Sequence, residues 1–334
     1  MKTEITTVQE NKTLDLFKFI ASIFIAATHL PSFLPTEATE IYFTQWFSRF
    51  CVPFFFLSTG YFFKKALDKR KSLKRIAWLF ALSYMLYLPA ILEGATDVSG
   101  VISKLRWNLI IGYEHLWYLS ATLEGLLVWY VLEKIPVISD LFRKIGIPLC
   151  ICLFLIGALL DEHYRLLDSN VLQSVGDFVL IFGGPRNVVF MGFPLLYLGG
   201  SLARYEKKLR KVSTVLLVLG WFLFRGAAFW ECGYLYGALG PEITNDITFF
   251  GCWPAVFLFL LSIKFQIPIP EQFAKLLRKL SEYIYILHPL VAMLITHYLP
   301  LTPLSLWLST ITMCSLLYIL LEKQFVSKKQ ETVK

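Results

Sequence analysis

Four polar residues, Asp15, Lys18, Ser22 and His29, recur at helical spacing within the apolar run 14–34. At about 100° per residue, Lys18 and His29 return to within roughly 20° of each other, roughly 16 Å apart along the axis. Ser22 falls between them, and Asp15 lies about 40° beyond His29. Ionisable groups inside a membrane span are costly and usually face a bundle interior or a water-filled cavity. The polar stripe therefore predicts an enclosed site beside the first helix.

The residue types in the stripe are suited to proton transfer and to charge stabilisation. His29 is the natural general acid or base, because an imidazole titrates near neutral pH. Lys18 places a cation at the other end of the same face, and Asp15, three residues earlier, can pair with it. The alternative is a structural polar network that only packs the first helix.

A second candidate segment is SRFCVPFFFLSTGYFF, residues 48–63. Arg49 stands where the second span begins on the predicted outer side, and one short loop separates it from His29, so the two can meet. Ser58 and Gly60 are small residues that permit close helix approach. The alternative is ordinary helix packing with an interfacial arginine.

Further candidates lie at the outer ends of later spans or in the middle of one: His115, Trp117, Tyr118, Arg186 and His288. Tryptophan and tyrosine at such ends also form an ordinary interfacial belt. His288 is followed by Pro289, which removes a backbone hydrogen bond beside a titratable group.

The composition indicates what positions these residues. Of 334 residues, 56% are hydrophobic and 17% are charged, against roughly 25% charged in a soluble domain. Apolar runs of helical length predict an all-α, polytopic membrane helix bundle of about ten transmembrane helices in one domain, 1–334. Residues 1–12 and 323–334 are expected to be cytoplasmic segments. The runs start near residues 14, 46, 76, 117, 145, 187, 213, 247, 281 and 305.

The net charge of +8 follows from topology. With the N-terminus inside, 25 of the 32 Lys and Arg residues fall in inner segments and four in outer loops, a strong positive-inside pattern. Both termini are thus predicted to be cytoplasmic, in the cytoplasmic membrane of a bacterium, and no nucleic-acid partner is expected. The six cysteines lie mostly in apolar runs without metal-ligand spacing, so no metal is expected.

Four motifs, in order, carry a resemblance to a known family. They are Asp15-x-x-Lys18 with ten residues to His29, RFCVPFFFLSTGY from Arg49 to Tyr61, HLWY from His115, and Tyr285-x-x-His288. The chain resembles the acyltransferase-3 family of membrane O-acyltransferases that modify cell-surface glycans. The family usually has Arg where this chain has Lys18, and Lys keeps the charge but loses the planar, bidentate fork.

Within that family, the HLWY, Arg-Asn and His-Pro segments look most similar to the membrane part of vancomycin-resistance serine racemases. Those proteins carry a cytoplasmic racemase domain after the last span. This sequence ends at Lys334, so racemase activity is not expected.

The resemblance implies acyl transfer from cytoplasmic acyl-CoA, with acetyl-CoA expected, to a hydroxyl of an extracytoplasmic glycan or small molecule. No bound cofactor is implied. His29 would be the base or acyl carrier, Arg49 would stabilise the oxyanion or bind the acceptor, and Asp15 would orient Lys18. The donor is expected at Lys18, Ser22, Ser58 and Tyr61, and the outer mouth at His115, Trp117, Tyr118, Arg186 and His288. The acceptor is attacked directly, or a separate extracytoplasmic partner protein completes the transfer.

The rival function is that of a membrane permease for a small polar solute such as serine. A polar stripe through a helix bundle in the lipid bilayer also suits transport. Binding of acyl-CoA separates the two functions, because a permease has no reason to bind it.

Overall fold

The computed structural model describes residues 11–181, 183–241, 243–244 and 246–331, with side chains as far as residue 322. No β-strand occurs in these ranges, which confirms the all-α class. Most of the predicted cytoplasmic segment 1–12 and the end of the tail 323–334 lie outside them. The α-helices of the described residues are α1 (Lys12–Ala27), α2 (Glu37–Phe47), α3 (Cys51–Lys65), α4 (Lys69–Leu86), α5 (Leu88–Leu92), α6 (Val98–Ile111), α7 (Trp117–Lys134), α8 (Pro136–Asp161), α9 (Asn170–Ile181), α10 (Phe193–Leu209), α11 (Thr214–Leu239), α12 (Trp253–Lys264), α13 (Glu271–Tyr298) and α14 (Pro303–Glu331).

Four helical segments of the described residues are long and apolar enough to cross a membrane: Pro136–Asp161, Val188–Leu209, Thr214–Leu239 and Pro303–Glu322. Two shorter apolar helices, α9 and α12, accompany them. The count of about ten spans and the cytoplasmic placement of both termini stay predictions.

One boundary departs from the predicted runs. The run expected to start near 46 begins at the end of α2 and continues, after a turn at 48–50, as α3. Two further helices lie between predicted run starts: α6 between those near 76 and 117, and α9 between those near 145 and 187.

The chain forms two compact units. The terminal unit comprises Asn11–Val52 and Ser262–Lys334, and the central unit contains Pro53–Leu261. In the terminal unit, α13 packs against both α1 and α14, around a core of aliphatic residues that includes Ile284 and Val291.

In the central unit, glycines let α3 and α10 approach at backbone distance. A Cβ added to Gly60 would lie 1.9 Å from the carbonyl oxygen of Leu196, and one on Gly199 would lie 2.1 Å from that of Leu57. Only glycine fits at these two positions, as expected where small residues permit close helix approach.

The first helix is shorter than the apolar run suggests, because α1 ends at Ala27 and His29 lies in the turn beyond it. The Thr28 hydroxyl donates to the Ile25 carbonyl at 2.8 Å, and Pro31 has no N–H with which to continue the helix. The expectation that His29 shares a helix with Lys18 is therefore wrong. A short, hydrogen-bonded turn still joins His29 to the end of α1, since the His29 N–H donates to the Ala26 carbonyl.

Candidate functional site

The polar stripe of α1 faces a second polar stripe on α13, and the two helices run parallel in the terminal unit. Arg278, Ser281, Tyr285 and His288 recur along α13 at intervals of three, four and three residues, the spacing of one helix face. We call the contact between the two stripes the α1–α13 seam. Its members are Asp15, Lys18 and the following His29 on one side, and Arg278, Ser281 and His288 on the other.

At one end of the seam, Arg278 forms a two-pronged ion pair with Asp15. Its Nε donates to Oδ1 at 2.9 Å and its Nη2 donates to Oδ2 at 2.7 Å. The Asp15 side chain is 3% exposed. Parallel N–H donors on both carboxylate oxygens make a strong and geometrically specific pair. Arg278 is thus a cationic partner of Asp15 that the sequence interpretation, which considered Lys18, did not include.

Lys18 lies one turn further along and is half-buried. Its backbone carbonyl accepts a hydrogen bond from the Ser281 hydroxyl at 3.1 Å, so this position too is attached to α13. The Ser22 hydroxyl is fully buried and donates to the Phe19 carbonyl at 2.7 Å. Ser22 thereby satisfies its polar group within its own helix.

At the other end of the seam, the rings of His29 and His288 lie 5.2 Å apart between centroids. His29 is exposed, whereas His288 is completely buried. The Nδ1 of His288 lies 2.9 Å from the Ile284 carbonyl and 3.0 Å from that of Tyr285. Because a carbonyl only accepts, Nδ1 carries the proton, and Nε2 is the acceptor in the neutral ring.

His288 also replaces the backbone hydrogen bond that is lost at Pro289. Proline has no N–H for the carbonyl of Tyr285, four residues earlier. The Nδ1 of His288 donates to that same carbonyl. The helix accordingly continues through Pro289 to Tyr298, with His288 as a donor to the carbonyl that Pro289 leaves without its backbone N–H.

Arg49 lies in the turn between α2 and α3 and is half-buried. The Ser48 hydroxyl donates to the Phe24 carbonyl at 3.0 Å, and the rings of Phe24 and Phe47 stack at 5.1 Å. These contacts attach the turn to α1, so Arg49 and His29 belong to the same unit.

The predicted mouth residues divide between the two units, because His288 belongs to the terminal unit and the other four to the central unit. His115 is buried, with its ring 4.9 Å from that of Tyr87. Tyr118 is buried too, and its hydroxyl lies 3.2 Å from that of Thr59. In the adjoining loop, burial and, less strongly, the carboxylate of Glu114 raise the pKa of Tyr113 above its usual value.

Trp117 and Arg186 are the more exposed of the predicted mouth residues in the central unit. The guanidinium carbon of Arg186 lies 5.7 Å from the centroid of the Trp117 ring, within the range of a cation–π contact. The Nε of Arg186 pairs with Asp246 Oδ2 at 2.9 Å, and the Arg186 side chain is 43% exposed. An indole face beside a charged pair can hold a ligand that has both a flat apolar side and hydroxyl groups.

Buried carboxylates that sequence reasoning missed hold the segment that carries Asp246. Asp161 accepts the backbone N–H of Ile247 at 3.0 Å. Glu231 accepts those of Phe249 and Phe250 at 2.7 and 3.0 Å. No periodicity signals such pairs, since each partner is a backbone amide remote in sequence.

The predicted donor residues also divide between the units. Ser58 is fully buried in α3, and its hydroxyl finds no hydrogen-bond partner among the described residues. The Tyr61 hydroxyl donates to Glu206 at 2.7 Å and accepts from Lys65 at 2.8 Å. Both belong to the central unit, whereas Lys18 and Ser22 belong to the terminal unit.

Comparison with known proteins gives a family and distant relatives. A family profile described as an acyltransferase domain matches residues 11–321. An amino-acid racemase of Enterococcus faecalis is 28% identical over 321 residues, covering 88% of this chain and 43% of that protein. A serine/alanine racemase of Enterococcus gallinarum is 28% identical over 304 residues, covering 84% and 40%. The chain thus spans less than half the length of these relatives. No solved structure matches.

Proposed function

The chain belongs to the acyltransferase-3 family, and from this premise we propose that it is an integral-membrane O-acyltransferase. It moves an acyl group, an acetyl group in the simplest case, from cytoplasmic acyl-CoA to a hydroxyl of an extracytoplasmic glycan or small molecule. The observation that supports this most is the contact between exposed His29 and buried His288.

His29 acts as the general base in this proposal. Its imidazole takes the proton of the acceptor hydroxyl while the hydroxyl oxygen attacks the thioester carbon. The new C–O bond forms as the C–S bond breaks, and the departing thiolate of CoA takes the proton back from His29. A related route places the acyl group first on His29 and then on the acceptor.

His288 is a positioning residue. Its Nδ1 proton is committed to backbone carbonyls, so its Nε2 is an acceptor and favours one ring orientation and tautomer of a neighbouring donor. A fixed base avoids reorganisation during the proton transfer, which is what preorganised catalytic groups contribute.

The charged end of the α1–α13 seam binds acyl-CoA, the acyl donor. The Arg278 pair neutralises Asp15, and Lys18, one turn further along α1, supplies the positive charge that meets the phosphates of acyl-CoA. A lysine meets phosphate as a point charge rather than as a bidentate fork. Arg49 supplies positive charge for the oxyanion that forms as the thioester carbon is attacked.

Acceptor binding is assigned to Trp117 and Arg186 of the central unit. An indole ring stacks on the apolar face of a sugar, and a guanidinium binds hydroxyl or carboxylate oxygens. A separate extracytoplasmic partner protein would be needed only if the acceptor cannot reach this surface.

The test is transfer of radiolabelled acetyl groups from acetyl-CoA to acceptor material in membrane vesicles that contain the full chain. His288→Gln is compared with wild type across pH 5 to 9. We expect a lower kcat and a displaced pH profile with little change in the KM for acetyl-CoA, because His288 acts through His29. An unchanged pH profile would remove the positioning role.

A second candidate function is that of a permease for a small polar solute such as serine. It is favoured by one observation, that relatives matching most of this chain are named amino-acid and serine/alanine racemases. Uptake of labelled serine into proteoliposomes tests it. Saturable uptake in protein that fails to bind acetyl-CoA would favour the permease.

A further inference from the structure

A cavity of about 220 Å³ lies within the central unit and is distinct from the residues assigned above to acyl transfer. Helices α3, α7, α8 and α10 line it. Its walls are aromatic, from Trp129, Phe142, Phe193 and Tyr197. Three cations, Lys64, Arg143 and Arg204, line it as well.

The aromatic wall is built on glycines and cannot collapse easily. A Cβ added to Gly146 would lie 2.5 Å from the Tyr197 ring, and one on Gly200 would lie 2.0 Å from the Trp129 ring. Trp129 and Tyr197 also contact each other, with 5.7 Å between ring centroids. Rings held against bare backbone on both sides keep the cavity open.

The charges around the cavity do not balance. Lys64 and Lys69 share the single carboxylate of Glu133. Arg143 pairs with Asp140, and no ion pair to Arg204 occurs among the described residues. Four cations and two carboxylates leave two positive charges beside an aromatic wall, which suits an anion that carries an apolar part.

The cavity lies at the level where the apolar surface of α8 begins. Val137, in the first turn of α8, is 79% exposed, and Leu141 and Ile145 continue the same exposed face at intervals of four residues. Ser139 and Arg143, which line the cavity, point to the opposite side of the helix. An exposed apolar stripe beside basic helix ends is typical of the depth at which lipid headgroups lie.

We propose that this cavity binds the phosphate of an anionic lipid from the cytoplasmic leaflet. Basic pockets between membrane helices on that side hold anionic headgroups in general. Arg143 and Arg204 would contact the phosphate, and the aromatic wall would cover the glycerol and the first carbons of the acyl chains. A soluble phosphate compound has the same charge chemistry but gains nothing from the apolar surface beside it.

Native mass spectrometry of the delipidated full chain in detergent tests the proposal, with phosphatidylglycerol as the probe and phosphatidylcholine of the same chains as the neutral comparison. We expect wild type to retain one phosphatidylglycerol in preference to phosphatidylcholine. The double variant Arg143→Gln/Arg204→Gln should lower phosphatidylglycerol affinity by about tenfold or more, because charge-assisted contacts are lost.

The matched control is Lys207→Gln/Lys208→Gln, which removes the same charge from exposed residues of α10 that do not line the cavity. Its affinity should stay within about twofold of wild type, well below the tenfold step of one charge-assisted contact. Ser139→Phe fills the cavity without changing its charge and should also lose the lipid, which keeps the test decisive if the arginine variant fails to fold.

Three results would overturn the proposal: equal retention of both lipids by wild type, equal loss in the control variant, or retention by Ser139→Phe. Displacement of bound phosphatidylglycerol by coenzyme A would overturn it too, because it would assign the cavity to a soluble phosphate ligand. Inorganic phosphate that competes at low concentration would point to the same correction.

Discussion

Two helix pairs bring backbones together by opposite means. In the terminal unit, α1 and α13 meet through ionisable groups, with Asp15 paired to Arg278 at one end and His29 against His288 at the other. In the central unit, α3 and α10 approach each other at Gly60 and Gly199, and the ion pair that joins them, Lys65 with Glu206, has both side chains partly exposed. Close packing in this protein therefore does not need buried charge.

We infer that the α1–α13 contact and the α3–α10 contact have different roles. Burying a charge pair costs desolvation free energy that packing alone does not require. The α1–α13 seam contains a buried charge pair, whereas the glycine contact between α3 and α10 does not require one. The polar groups of the seam are therefore best explained by function.

The largest effect is expected from His29→Ala. Loss of a general base lowers the transfer rate by about 10²- to 10⁴-fold, whereas the control His297→Ala, which removes an exposed histidine from the end of α13, should leave it unchanged. Acetyl transfer in vesicles is the measurement, with the melting temperature in detergent as the check on folding. A well-folded, fully active His29→Ala protein contradicts the account.

Arg278→Gln should destabilise the protein by about 3 kcal/mol, because it leaves the buried Asp15 carboxylate without its cation. The double variant Asp15→Asn/Arg278→Gln should recover part of that loss, since no buried charge remains. Thermal unfolding in detergent measures both.

The control for this ion pair is Lys275→Gln, which breaks the exposed pair with Glu271 on the same helix. Exposed pairs contribute little, so the melting temperature should not change. Equal losses in Arg278→Gln and Lys275→Gln would show that the seam pair is an ordinary surface contact.

Gly60→Ala tests the opposite contact and should cost about 1–3 kcal/mol, because the new Cβ overlaps the backbone of α10. Gly226→Ala on α11 is the matched control, since a Cβ there meets nothing within 4 Å. It should stabilise the protein by roughly 0.5–1 kcal/mol through higher helix propensity. Equal unfolding temperatures for the two variants would argue against the close crossing.

The smallest effect is expected at the mouth. Trp117→Ala should raise the KM for the acceptor by about tenfold or less, the range of one lost ring contact, with kcat nearly unchanged. Trp117→Phe should retain most of the affinity. A fall in kcat with an unchanged KM would place Trp117 in the chemistry instead of in acceptor binding.

The sequence was sufficient for the all-α class, the family, and the polar stripe of α1. It could not locate the end of α1, because Leu30 and Leu34 continue the apolar run past the point where Thr28 and Pro31 end the helix. A hydropathy pattern indicates which residues are buried and does not determine the backbone conformation, so it could not predict where the helix ends.

Arg278 could not be recognised from its residue type. A basic residue near the predicted inner end of a span already fits the positive-inside pattern, so its charge alone does not mark it as the partner of Asp15. Its spacing of three, seven and ten residues to Ser281, Tyr285 and His288 was the available signal. The carboxylates Asp161 and Glu231 left no such signal, because their partners are backbone amides brought near only by the fold.

The central claim is that the α1–α13 seam serves acyl transfer from acyl-CoA, and donor binding tests it most directly. Calorimetric titration of acetyl-CoA into the purified full chain in detergent compares wild type with Lys18→Arg and Lys18→Ala. The account predicts saturable binding by wild type, equal or tighter binding by Lys18→Arg, and clear weakening in Lys18→Ala. No binding by folded wild type at millimolar acetyl-CoA would contradict it and favour the permease.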